Sequence, residues 1–171
     1  MSLELSGVLL VGGGSMRFGS PKALARFRGE TLAERAWRTL GAACEERLAV
    51  GKEGELALPF PALDDRSELR APIVGVIAGL RASIHETVVF LPVDCPLVTP
   101  EVLRALGEAQ AVPQTGPLPG AYSKADLPEL ERRLAAGELS LRGVNSTVLE
   151  VDERLLANAN TPAELSALIA E

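Results

Sequence analysis

Short apolar runs alternate along the chain with stretches of helical period. Leu5 to Val11 ends in a continuous apolar run, the mark of a strand buried on both faces of a parallel sheet. Thr31 with Glu34 three residues on reads as a capping box, and Leu32, Ala33, Ala36, Trp37 and Leu40 then recur at helical spacing up to Gly41. Arg47 to Gly51 predicts a second strand. Phe60 to Leu63 predicts a third, delivering Asp64 and Asp65 at its carboxyl end. Pro72 opens a helix through Val76, Ile77, Leu80 and Ile84. Thr87 to Leu91 predicts another strand, stopped by Pro92-Val93-Asp94-Cys95-Pro96. Thr99 is an N-cap with Pro100 at the first helical position, starting a helix that runs to about Ala109.

Strand and helix joined by short connections up to residue 110 imply right-handed βαβ units and a parallel sheet. The later pattern is less regular. It predicts a helix from Leu127 to Ala136, a strand over Ser146 to Val151, and a final helix from Ala163 behind Asn158-Ala159-Asn160-Thr161-Pro162. No repeat, low-complexity tract or linker interrupts the 171 residues, so the expectation is one α/β domain with a variable C-terminal part.

Composition narrows the function. With 47% hydrophobic and 23% charged residues the chain has the make-up of a folded globular protein. No apolar run reaches the roughly 20 residues of a spanning helix, and Met1-Ser2-Leu3-Glu4 lacks the pattern of a signal peptide. Two cysteines and one histidine make neither a disulfide framework nor a zinc cluster, so a cytoplasmic, reducing setting is expected, with no membrane partner. A net charge of −6 argues against nucleic acid, and an anionic ligand would need local cations and a metal ion.

The glycine-rich loop after the first strand, Gly12-Gly13-Gly14-Ser15-Met16-Arg17-Phe18-Gly19-Ser20-Pro21-Lys22, carries the most chemistry. Consecutive glycines let the backbone approach a ligand, successive N–H groups can converge on phosphate oxygens, and Arg17 and Lys22 add positive charge. It is neither a Walker loop, since Lys22 follows Pro21 and precedes Ala23, nor a dinucleotide fingerprint, since helical period begins only about ten residues beyond the glycines. Asp94 stands where open parallel sheets present ligand groups, and a carboxylate facing a phosphate loop suits Mg²⁺. Taken alone, Asp64 and Asp65 read as loop carboxylates, His85 as a surface residue, Cys95, Cys44 and Trp37 as core, and Glu131-Arg132-Arg133 as a solvated helix face.

Leu10-Val11 through Lys22-Ala23-Leu24 resembles the L-A-G-G-x-S-x-R-M-G-x-x-K-A-L signature of the MobA-type molybdenum cofactor guanylyltransferases, within the nucleotidyltransferase superfamily. Asp64 through Pro72-Ile73-Val74-Gly75 resembles the family's D-x(7)-P-L-x-G. Leu91 to Pro96 resembles F-x-P-C-D-T-P, and Asn158 to Leu165 resembles N-x-N-T-P-E-D-L. The resemblance implies a Rossmann-like three-layer α/β/α sandwich with a mostly parallel sheet, residues 1–110 binding nucleotide and residues 111–171 forming the acceptor side. It implies magnesium-dependent transfer of GMP from GTP to molybdopterin cofactor with release of pyrophosphate. Product would pass to cofactor-insertion or molybdoenzyme chaperone proteins.

By the same resemblance Leu10, Val11, Gly12, Gly13, Lys22, Asp64 and Asp94 contact the nucleotide. Arg17, Lys22 and Asp94 are the catalytic set, Asp94 also being the magnesium ligand, and Asn158, Asn160 and Thr161 lie on the acceptor side. The chain departs from the pattern at Val11, where the family has Ala, and at Gly51, where relatives often carry a nucleotide-contacting Asn. It departs again over Gly116 to Tyr122, which loosely matches H-P-x-x-A-L-Y but has no histidine. These departures leave two alternatives open: a nucleotidyltransferase using CTP or another phosphorylated acceptor, and a non-catalytic nucleotide-binding relative.

Overall fold

Leu5–Leu10 forms the central strand β1 in the computed structural model, which describes residues 3–11, 22–52 and 57–169. All its residues are buried because it is covered on both faces and paired along both edges. Strands β4 (Glu46–Gly51) and β6 (Thr87–Pro92) flank it in parallel, with Val8 opposite Leu48 on one side and Phe90 on the other. Strand β5 (Leu63–Asp64) extends the sheet beyond β4, and β8 (Gly120–Ser123) closes the other side antiparallel to β6. The order is β5-β4-β1-β6-β8.

Alternate side chains divide the core into two layers. Leu9, Ala49, Val89 and Leu91 face helices α1 (Leu32–Ala43) and α3 (Pro100–Ala109). Val8, Leu10, Val50, Val88 and Phe90 face α2 (Pro72–Ala82) and α4 (Leu127–Ala135). This is the expected three-layer α/β/α sandwich with a mostly parallel sheet.

The Thr31 capping box forms as expected, Glu34 N–H donating to Thr31 Oγ1 at 3.0 Å and Thr31 N–H to Glu34 Oε1 at 3.2 Å. Glycines bring the layers close. A Cβ at Gly79 would lie 2.7 Å from Phe90 Cε1, and one at Gly75 2.7 Å from Leu10 Cδ2.

Several elements differ from expectation. The helix from Pro72 stops at Ala82 rather than Ile84: Ser83 makes the last helical bond, its N–H and its hydroxyl both donating to Gly79 O, but its own backbone is extended (ψ 146°). Of the strand expected over Phe60 to Leu63, only Leu63 pairs, joined by Asp64. The strand expected over Ser146 to Val151 is reduced to β9 (Val148–Leu149), paired with β7 (Val112–Pro113). Beyond it, the Gln114 side chain takes the place of a ladder, donating to Val151 O and accepting from Val151 N–H. Pattern gave no sign of the hairpin β2 (Arg26–Phe27)–β3 (Glu30–Thr31), whose turn places Arg28 and Gly29 at positive φ. Nor did it indicate β8. Trp37 is half-buried rather than core, stacked on Phe60 at 4.3 Å with the Arg47 guanidinium 4.4 Å from its ring.

The chain runs from β1 outward to β4 and β5, then returns to place β6 on β1's other side. The switch point therefore falls between the carboxyl ends of β1 and β6, where open α/β sheets bind ligands. Among the described residues no helix is long and apolar enough to cross a membrane.

Candidate active site at the switch point

The carboxyl ends of β1, β4 and β6 and the first turn of α2 enclose a cleft of about 300 Å³. Its floor is Leu10, Val11, Val50 and Gly51, and Gly75 presses α2 onto Leu10 there. The end of β1 is tied to the loop leaving β6, Val93 N–H donating to Leu10 O at 3.4 Å.

Lys22 and Asp94, 72 positions apart in sequence, meet at this end of the cleft. Lys22 Nζ lies 3.5 Å from Asp94 Oδ2, with side chains 16% and 21% exposed, so both remain reachable by a ligand. The Lys22 ammonium also donates to Asn160 Oδ1 at 3.2 Å. Ala159 N–H donates to Asp94 O at 2.9 Å, which seats the C-terminal segment on the Asp94 turn. That segment is held by its own small core, in which Ala159, Leu165 and Leu168 pack on Phe27 and Leu32. Helix α5 (Pro162–Ile169) begins just beyond it, Glu164 N–H donating to Thr161 Oγ1 and Asn160 N–H to Glu164 Oε2.

Cys95 lies beneath the site. Its thiol donates to Asp94 Oδ1 at 3.6 Å, and burial, reinforced by the Asp94 charge, raises its pKa well above the usual value, so it is no nucleophile.

The opposite end of the cleft is built differently. Lys52 follows Gly51 and folds back over the rim loop, Nζ lying 2.9 Å from both Asp65 oxygens, 2.6 Å from Ser67 O and 2.7 Å from Leu69 O. Asp65 N–H donates to Gly51 O and Asp65 Oδ1 accepts from Ser67 N–H. Leu69, Arg70, Ala71 and Pro72 complete this wall. Ala71 gives α2 no side-chain cap, so the positive end of the helix dipole borders the cleft.

Of the residues expected from sequence, the structure gathers Leu10, Val11, Lys22 and Asp94 around one cleft. Asn160 joins them through Lys22, while Thr161 caps α5 and Asn158 is exposed. Asp64 is exposed, accepting from Arg66 N–H at 2.9 Å, and the carboxylate on the cleft wall is its neighbour Asp65. Gly12, Gly13 and Arg17 lie outside the described residues. Sequence reading missed Lys52, whose signal was a lone cation straight after a strand end, near the Asp64-Asp65 pair.

An open, mostly parallel α/β sheet with Lys22 and Asp94 facing one another at its switch point has charged groups where such folds bind their ligands. Residues 7–151 match the MobA-like NTP transferase domain, and the chain belongs to that family of nucleotidyltransferases. It is 36% identical to a Deinococcus radiodurans protein named probable molybdenum cofactor guanylyltransferase, over 97% of this chain and 94% of that one. In fold it resembles the molybdopterin-guanine dinucleotide biosynthesis protein A of Archaeoglobus fulgidus, with a TM-score of 0.79, 24% identity, and 96% and 97% of the two chains covered. It also resembles a Mycobacterium tuberculosis H37Rv protein solved in complex with manganese, with a TM-score of 0.67, 19% identity, and 98% and 99% covered.

Proposed function

We propose that this chain transfers GMP from GTP to the terminal phosphate of molybdopterin cofactor, forming the guanine dinucleotide cofactor and releasing pyrophosphate. The observation that carries the reading is the Lys22–Asp94 pair at the switch-point end of the cleft, in a chain of the MobA-like family. The acceptor phosphate oxygen attacks the α-phosphorus in line, and the bond to the bridging oxygen of the β-phosphate breaks. No strong base is needed, because the attacking phosphate is already anionic. Catalysis is then positioning and charge neutralisation, with Lys22 and Arg17 on the phosphates.

The donor set at this end of the cleft fits magnesium: one reachable carboxylate, with phosphate oxygens and waters to complete an octahedron. Asp94 would hold the ion, which when bound supplies Lewis-acid neutralisation of the leaving pyrophosphate. Leu10 and Val11 line the cleft, and Gly12, Gly13 and Asp64 would contact the nucleotide with them. Asn158 and Thr161 stand on the acceptor side, with Asn160 linking that side to Lys22. Residues 1–171 act as a single domain, 1–110 serving the nucleotide and 111–171 the acceptor. Two unpaired cysteines and a net charge of −6 support a cytoplasmic enzyme that works on small anions rather than nucleic acid and hands its product to a cofactor-insertion or molybdoenzyme chaperone protein.

Calorimetric titration with GTP, CTP, ATP and UTP, with and without Mg²⁺, tests the reading together with Asp94→Ala. Magnesium-dependent preference for GTP, and a folded variant without pyrophosphate release, are expected. Preference for CTP would move the chain to cytidylyl transfer. Full activity of the variant with Mg²⁺ would refute the metal assignment.

A further inference from the structure

Lys52 is a cation on a nucleotide cleft whose charge is turned away from the ligand. Its ammonium contacts both oxygens of Asp65 and the carbonyls of Ser67 and Leu69, so its three N–H bonds are taken up by one loop. The pair is well shielded, with side chains 15% and 6% exposed, and Asp65 is anchored in turn to Gly51 O and Ser67 N–H. A lysine serving the phosphates would keep donors for them. This one neutralises Asp65 and fixes the wall running from Asp65 to Pro72. Phosphates belong at the other end, with Lys22 and Asp94, so a nucleotide spanning the cleft brings its base to the wall that Lys52 holds.

We infer that Lys52 is a positioning residue for nucleobase selection: through Asp65, Ser67 and Leu69 it holds the rim loop and the start of α2 at the spacing that discriminates one base from another. The inference rests on the proposed nucleotidyl transfer but not on which base is used. Gly51 contributes no side chain here, which leaves base recognition to what the rim loop, Arg70 included, and the start of α2 present, backbone groups among them. Backbone groups discriminate only when held still. Replacing the ammonium by an isosteric apolar group leaves Asp65 without its counter-charge and the Ser67 and Leu69 carbonyls without this donor, and the loop is expected to reopen to water.

The test measures binding of GTP, ATP and CTP, and separately of inorganic tripolyphosphate, to the full chain and to Lys52→Met and Asp65→Asn, with melting temperatures alongside. The expected result is about tenfold weaker binding of the preferred nucleotide, a preference ratio falling several-fold, and unchanged tripolyphosphate binding. Single-turnover pyrophosphate release at saturating nucleotide should stay within about twofold, with Lys52→Arg keeping part of the preference. Should Lys52→Met not fold, Asp65→Asn carries the comparison, since its amide oxygen can still accept from Ser67 N–H. An unchanged preference ratio in a folded variant would overturn the inference. So would a loss of tripolyphosphate binding equal to the loss of nucleotide, which would make Lys52 a phosphate ligand. Wild-type preference for a nucleotide other than GTP would instead refute guanylyl transfer, leaving the Lys52 comparison to be read with that nucleotide.

Discussion

Asn160→Ala removes one contact, the acceptor for Lys22 Nζ at 3.2 Å, and leaves the backbone bonds of Ala159 and Asn160 in place. A hydrogen bond to a charged group contributes about 1.5–3 kcal/mol when buried. Lys22 keeps some solvent and its Asp94 partner, so about 1–1.4 kcal/mol is the reasonable share here. That corresponds to a five- to tenfold loss in kcat/KM, at about 1.4 kcal/mol per tenfold. The loss should appear when GTP is varied, because Lys22, left with Asp94, is less firmly positioned at that end of the cleft. A stability change of about 1 kcal/mol would lower Tm by about 2–4 °C in a chain of this size. Steady-state pyrophosphate release, with GTP and acceptor varied in turn, separates the cases. Asn160→Asp restores an oxygen for Lys22 and should recover Tm, but not GTP affinity, since it adds an anion beside Asp94. A rise in KM for the acceptor alone would refute the reasoning and make Asn160 a direct acceptor contact. Wild-type kinetics and Tm in Asn160→Ala would show the bond to be without effect.

Gly79→Ala places a Cβ 2.7 Å from Phe90 Cε1 and 3.0 Å from both Val8 methyls. Overpacking of about 1–3 kcal/mol outweighs about 1 kcal/mol gained in helix propensity, so thermal unfolding should show a lower Tm, and a higher one would refute the close approach. The thiols should be inert to iodoacetamide at pH 8 until denaturant is added, since burial pushes Cys44 up to about 12 and raises Cys95 as well. Both acids hold their protons more tightly when folded, so stability is full below pH 9 and falls as pH rises from the unfolded thiol value towards the folded one. Rapid labelling of native protein at pH 8 would contradict that burial.

The parts of the fold legible in sequence are those whose signal is local. Thr31 with Glu34, and Thr99 with Pro100, each carry a helix start within four residues, and both starts are where the pattern put them. The apolar runs of β1 and β6 are legible because burial on both faces leaves no other composition available. Strand β8 was not, because Gly120-Ala121-Tyr122-Ser123 becomes a strand only through β6 beside it. Nor was the Gln114 side chain that extends the pairing of β7 and β9, since nothing local distinguishes a glutamine that mimics backbone. At the site, Lys22 and Asp94, which the structure brings together, are legible through motifs that follow strand ends. The register separating Asp64 from Asp65 was not legible: which of two adjacent carboxylates turns inward is decided by Lys52 and by the positive φ at Arg66.

The contact between Lys22 and Asn160 joins positions 138 residues apart. During synthesis at about 5–20 residues per second, the lysine therefore waits roughly 7 to 28 seconds for its partner to be made. The strands and helices that frame the cleft come off the ribosome first, yet its Lys22 end is assembled only when the Ala159–Thr161 segment arrives and seats on the Asp94 turn. A nascent chain would thus own a sheet and a cleft before Lys22 had both its partners, and loss of the last tenth of the protein would leave that end of the cleft open where the C-terminal segment now seats.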